Sequence, residues 1–186
     1  MEPFITSCQK ESIPDLQAPG NPTPFVSLTA NIENDSVNYI GGVNGYSGKT
    51  YMSDSLNYRK FVFILDRNDE RYKSCFKISI RNYRNSLGDP QADLDSSLKV
   101  GIRSFEFNSG SITPATVSVS WYDSLGTESV TNTIQQIHHF KIIESKDILF
   151  MDKKYKCLDV EFQCELRNIN SNYTVQSCKG TILFSI

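Results

Sequence analysis

Long apolar runs are missing from this chain of 186 residues: no segment approaches the ~20 consecutive apolar residues that cross a bilayer as a helix. A one-sided charge is missing too, since 19 Lys plus Arg stand against 21 Asp plus Glu. The net charge of -2 provides no global field to draw the chain onto a phosphate backbone, so nucleic acid is not an expected partner. Only two histidines occur, His138 and His139; adjacent side chains on a strand point to opposite faces, so they do not chelate one metal together. Neither Cys-x-x-Cys nor His-Glu-x-x-His is present, and no Gly-x-Ser-x-Gly elbow offers a nucleophile. No long segment repeats its apolar residues with the helical period of about 3.6 positions. What the chain does have is 39% hydrophobic and 11% aromatic residues, enough to build a core, which excludes disorder, collagen and a disulfide miniprotein.

The apolar residues alternate with polar ones. Val26, Leu28, Ala30 and Ile32 are separated by Ser27, Thr29 and Asn31, the pattern of a strand with one buried face. The same rhythm holds Phe76, Ile78 and Ile80; Leu158, Val160, Phe162, Cys164 and Leu166; and Val117, Val119 and Trp121, which makes Trp121 a core residue rather than a ligand platform. Phe61 to Leu65 is apolar on both faces and suits a central strand. Turn signals separate these runs at Asn34-Asp35, Asn44-Gly45, Ser86-Leu87-Gly88-Asp89-Pro90, Asp123-Ser124-Leu125-Gly126 and Asn170-Ser171-Asn172. At most Ser145 to Met151 makes a short helix, capped by Ser145. About ten short strands without helical crossovers predict an all-β fold, an antiparallel, jelly-roll-like β-sandwich over residues 25–186. The alternative is two small sandwiches dividing near 108–113. Five of seven prolines fall in residues 1–24, which read as a flexible tether.

Five cysteines stand at 8, 75, 157, 164 and 178. Inward positions are even-numbered both in Leu158 to Leu166 and in Ile182, Phe184 and Ile186, so paired residue numbers in that hairpin sum to an even value. A turn centred on Ser171 then sets Cys164 directly opposite Cys178, close enough for a disulfide or a packed thiol pair. Cys157 and Cys164, in one strand, lie about 23 Å apart at ~3.3 Å per residue and do not bridge. Cys75 and Cys157 pair only if their strands are neighbours. Cys8 stands alone, and Ile5-Thr6-Ser7-Cys8 resembles a bacterial lipoprotein box, in which small residues precede a cysteine that becomes N-terminal and lipid-modified. Met1-Glu2-Pro3-Phe4 departs from it, supplying neither a basic region nor an apolar stretch. A Pro-rich stem behind a lipidated Cys8 would hold a folded head off a membrane.

Several near-motifs fail on spacing or context. Gly42 to Thr50 looks like a phosphate-binding loop and Phe61 to Asp66 like the strand ending in a metal-binding Asp, but Val43 stands where the loop needs glycine, and Tyr51 to Leu56 has no helical pattern. These glycines read as hairpin punctuation. Asp66 to Glu70 lacks the glycine and distal Glu of a calcium loop and reads as a solvated turn. Asp159 and Glu161 share a strand face without an identified opposing acid, so a hydrolase site is unsupported and no metal or cofactor is expected. Residues 59–84 carry eight basic side chains and three acids; Lys77, Arg81 and Tyr83 share one face of one strand. With Tyr58, these form a candidate surface for an acidic glycan or an anionic partner, set against the alternative of an exposed basic face that keeps a sheet soluble.

The segments FVSLTANIENDSVNYIGGVNGYSGKTYM, CFKISIRNYRNSLGDPQADLDSSLKVG, VSVSWYDSLGTES, CLDVEFQCELRN and KGTILFSI together resemble small extracytoplasmic lipoproteins of Bacteroidota over residues 25–186. The resemblance implies a β-sandwich head in the cell envelope and no established chemistry. Asp35-Ser36-Val37, Asp54-Ser55-Leu56 and Asp123-Ser124-Leu125 are similar to the glycosylation signal of such proteins, making Ser36, Ser55 and Ser124 candidate acceptors in turn-like text. The expected function is a non-catalytic, lipid-anchored subunit of the outer membrane with a protein partner. A carbohydrate-binding module is the first rival and a hydrolase the second.

Overall fold

The computed structural model describes residues 26–43, 45–55, 57–67, 76–83, 88–105, 115–123, 125–131, 139–150 and 152–185. Among these residues the alternating segments form eleven strands and one short helix, an all-β sandwich. In chain order these are β1 (Ser27–Ile32), β2 (Asp35–Ile40), β3 (Tyr46–Ser55), β4 (Tyr58–Arg67), β5 (Phe76–Tyr83), α1 (Pro90–Ser97), β6 (Gly101–Phe105), β7 (Ala115–Tyr122), β8 (Glu128–Thr131), β9 (Phe140–Phe150), β10 (Lys153–Arg167) and β11 (Asn172–Ser185). One layer runs β2-β1-β11-β10-β9 and the other β7-β5-β4-β3, with β6 joining β9 to β7 and β8 pairing both β10 and β7. Strands from before and after the segment 106–114 thus alternate along one hydrogen-bonded path. Every pair is antiparallel except β6 with β7, which run parallel at Ser104↔Thr116 and Phe105↔Val117.

The inward set is the one that alternation picks out. Phe61, Phe63, Leu65, Ile78, Ile80, Val117, Val119, Leu158 and Ile182 are fully buried, each contributing about 1.5–3 kcal/mol by leaving water. Rings from the two layers meet edge to face, Phe63 on Phe184 at 6.4 Å between centroids and Phe76 on Phe162 at 6.5 Å. Trp121 packs against this core and on Tyr173 at 5.1 Å, as its place in the alternation requires.

The β10–β11 hairpin departs from the expected register. Numbers sum to 340 from Tyr155↔Ser185 to Phe162↔Cys178, the even parity that the core demands, but the register then breaks and Cys164 stands opposite Val175. Cys164 and Cys178 are therefore not directly opposed. The extra residue lies at Gln176-Ser177, where β1 also slips from Asn31↔Ser177 to Ile32↔Val175. A bulge at this point shifts the phase of β11 so that Val175 and Cys178 both face inward. Cys157, Cys164 and Cys178 are buried free thiols; β5, the strand Cys75 directly precedes, is not a neighbour of β10.

The helix is not where Ser145 was expected to start one. Ser145 to Phe150 belong to β9, paired with β10 from Leu158↔Ser145 to Lys153↔Phe150. Cross-strand partners override the weak local preference there. The helix starts instead at Pro90, where Asp89 accepts a hydrogen bond from the Gln91 N–H at 3.2 Å as N-cap; a Pro at the first helical position is preorganised for this role. The same residues supply the turn signal, so the local text supports both. Leu94 and Leu98 close one end of the core. Two ion pairs fasten α1 to both layers: Asp93 to Arg59 of β4 at 2.9 Å, and Asp95 to Lys156 of β10 at 2.9 Å.

Candidate functional site

Odd positions of β4 face the core, so its even positions and their cross-strand partners form an outer face. Register orders that face in rows: Ser53, Lys60, Arg81 and Thr116; then Tyr51, Val62, Ser79 and Ser118; then Lys49, Ile64, Lys77 and Ser120. Neighbouring strands lie about 4.8 Å apart. Lys60 and Arg81 are therefore like charges placed directly opposite each other, an arrangement that destabilises a sheet. Lys77 reaches toward them across the Val62 and Ser79 row. Val62, Ser79 and Thr116 are buried although they point away from the core, as expected where long cationic stems lie over small residues.

The cations of this face act on one another. Burial, then Lys77, then Arg81 push the Lys60 ammonium below the usual lysine range, against a smaller opposing pull from Glu128. The Arg81 guanidinium lies 4.4 Å from the centroid of the Tyr58 ring, a cation–π contact. Beyond Arg81, the Thr116 hydroxyl is buried with no hydrogen-bond partner among the described residues, a state that costs about 1–3 kcal/mol. Tyr51 is 46% exposed beside the cations. Tyr122 is raised well above the usual phenol range by burial and by its hydrogen bond to Glu128, so it stays a neutral donor. Lys49, lower on the face, is already paired with Asp66 at 2.8 Å.

Other charged clusters are self-contained. Arg59, 4% exposed, grips Asp54 through both carboxylate oxygens at 2.7 and 3.0 Å and also binds Asp93 and the Gly88 carbonyl. Lys156 lies between Asp95 and Asp147, at 2.9 and 2.5 Å, in a cleft of about 390 Å³ between α1 and the β9–β10 hairpin. Burial opposes its charge, but hydrogen bonds with Asp147 and Asp95 outweigh this and raise its pKa. A lysine so held is neither base nor nucleophile near neutral pH. Asp159 accepts from Thr181 at 2.7 Å, while Glu161 is held down by Lys141 at 3.1 Å, the direction opposite to that of a general acid.

The sequence-derived candidates divide three ways. Tyr58, Lys77, Arg81 and Tyr83 lie on β4 and β5, with Tyr58 opposite Tyr83 in the backbone register. Cys8, Ser124, Cys75 and His138 lie outside the described residues. Ser36 is not in a turn but exposed on strand β2, and Ser55 ends β3 opposite Tyr58, beside an Asp54 already bound to Arg59. Tyr51 to Ser55, where the phosphate-loop reading would need a helix, belong instead to strand β3, whose Ser47 and Lys49 both bond Asp66 across the β3–β4 ladder. Among the described residues no three His, Cys, Asp or Glu side chains gather as a metal site, and no helix is long and apolar enough to cross a membrane.

Sequence reasoning placed Lys60 in the basic run but not in the site, and it missed Thr116 and Tyr51. The signal for Lys60 was its even position in a strand whose odd residues are buried; the other two become neighbours only through strand order. Comparison with protein-family models, curated proteins and solved structures returns no match.

Proposed function

We propose that the protein is a non-catalytic binding subunit of the cell envelope, anchored through lipid on Cys8, which docks an anionic partner on the outer face of β3, β4, β5 and β7. The observation that supports this is the opposition of Lys60 and Arg81, with Lys77 near, in a chain whose net charge is -2. Like charges gathered on one sheet face offer a place where an anion turns repulsion into attraction. The partner is an acidic component of the outer membrane or its assemblies. A carbohydrate-binding use of the same face is favoured by Tyr51, whose ring is open where that of Tyr58 carries Arg81.

The test is retention of the full chain on immobilised polyglutamate and on heparin as salt is raised. Retention lost between low and physiological salt, and weakened about tenfold by Lys77→Glu with Arg81→Glu, is the expected result. Retention unchanged by that double variant would overturn the docking face. Intact mass after purification from its own host reports the anchor: a lipid adduct with loss of residues 1–7 supports it, and an unmodified Met1 species refutes it.

A further inference from the structure

The two buried cations among the described residues each meet two carboxylates: Arg59 has Asp54 and Asp93, and Lys156 has Asp95 and Asp147. The half-buried Arg103 is paired with none. We infer that the cleft it lines, between the end of α1 and strands β5, β6 and β7, binds a small organic monocarboxylate, with the carboxylate on Arg103 and a second hydrogen-bonding group of the ligand on Asn82. This site is independent of the docking face proposed above. Asn82 follows Arg81 on β5 and so stands on the other side of that strand.

The cleft has a volume of about 380 Å³, a size that takes a small molecule, and its walls include Asn82, Ser96, Ser97, Arg103 and Ala115. Among the described residues that line it, Arg103 alone is charged. Its guanidinium donates three of its five N–H groups to main-chain carbonyls: Nε to Ser97 at 3.1 Å, Nη1 to Ile102 at 3.1 Å and Nη2 to Lys99 at 2.7 Å. Those bonds fix the fork against the end of α1 but cancel no charge. Burial pushes Arg103 below the usual arginine range, and no acid pulls it back. The bonds from Nη1 and Nη2 are exposed, and each of these nitrogens keeps one further N–H, enough for the two oxygens of one carboxylate.

Asn82 calls for the second group. It is 5% exposed, it lines the cleft, and its side chain makes no hydrogen bond among the described residues. Buried amides are ordinarily matched. Because a side-chain amide both donates and accepts, an amide on the ligand answers both needs. The Ser96 and Ser97 hydroxyls do not compete for the anion, since both donate to the Asp93 carbonyl, at 3.0 and 2.7 Å. Carbonyls around the guanidinium, at the negative end of the helix dipole, favour a single charge over the double charge of a phosphate monoester.

NMR titration of the full chain tests this, read at the Arg103 Nε–H and the Asn82 side-chain amide. The probes are N-acetylalanine, its methylamide, propionate and methyl phosphate. N-acetylalanine is expected to shift both signals saturably in the millimolar range. Its methylamide keeps the amide and loses the charge, so it is expected to bind about tenfold more weakly, a comparison made on the wild-type protein and therefore independent of folding. Asn82→Ala breaks no hydrogen bond among the described residues; it is expected to weaken N-acetylalanine about fivefold and leave propionate unchanged. Arg103→Lys keeps the charge without the fork and is expected to weaken both acids about tenfold. No saturable shift at Arg103 with any probe overturns the site and leaves the guanidinium as a clasp on α1 alone. Equal binding of N-acetylalanine and its methylamide overturns the ionic contact, and methyl phosphate binding in place of the acids overturns the choice of a carboxylate. N-acetylalanine binding untouched by Asn82→Ala overturns the second contact.

Discussion

At Gly180 a single methyl decides whether β11 fits between its neighbours. A Cβ there would stand 1.9 Å from the Ser27 carbonyl oxygen and 2.8 Å from the Leu28 Cα, both backbone atoms that cannot swing aside. Gly180→Ala is expected to cost about 1–3 kcal/mol, with strand β1 as the part displaced; an unchanged urea midpoint would show that β1 does not approach so closely. Lys60 makes the reverse point. Its charge is opposed by burial and by two cations, so Lys60→Met is expected to stabilise the unliganded protein by about 0.2–1 kcal/mol, measured by thermal unfolding. Loss of stability instead would mean that the ammonium is compensated. Neither residue advertises its role in the sequence. Gly180 is one glycine among ten, and Lys60 is one member of a basic run until strand pairing places Arg81 against it.

Among the elements, α1 depends most on charge. It is eight residues long, too short to stand alone in water, and its attachment includes Leu94 and Leu98, one ion pair to each layer and a bond from Arg103 of β6 to the Ser97 carbonyl. Asp93 is fully buried. Arg59→Met leaves that carboxylate without its guanidinium and is expected to destabilise by about 3–5 kcal/mol, whereas Arg59→Met combined with Asp93→Leu costs less than the single change. Denaturant curves on the two variants decide it, and an equal or larger loss in the double variant would contradict a charge-dependent clasp. The β10–β11 hairpin carries a second expectation. Burial raises the thiols of Cys164 and Cys178 far above the usual range, and the thiolate is the reactive form. Both are expected to resist iodoacetamide until the protein unfolds; labelling of either in native conditions, followed by peptide mapping, would show that the hairpin opens. The even parity of this hairpin was legible because burial on one face allows no other, but the bulge at Gln176-Ser177 was not. It is imposed by the fit of β11 between β1 and β10, not by any local turn residue.

For the whole molecule the pH dependence follows from the carboxylates of these clusters. Asp54 is held below its ordinary value by its hydrogen bond to Arg59, and Asp95 by its hydrogen bond to Lys156. A folded-state pKa below the unfolded one contributes stability that is complete above the ordinary carboxylate range and is lost as pH falls through it. Stability is therefore expected to be level from pH 7 to about pH 5 and to decline below that, read as urea midpoints at several pH values. Lys156 acts with the opposite sign: its raised pKa favours folding up to the usual lysine range, and that contribution fades only as pH rises beyond it. A midpoint that stays level into strong acid would show that the clasps do not hold the fold. The all-β layers, the inward residues and the company of Lys77 with Arg81 were settled by residue order alone, because on a strand every second side chain shares a face and water sorts the faces. Which strands lie side by side was not, since pairing joins residues far apart in the chain and alternation is the same for every partner. Strand order set Thr116 beside Arg81 and Tyr51 diagonal to Lys60 and brought α1 down on Arg59, so the neighbours on this face belong to tertiary structure while the charges they carry belong to the sequence.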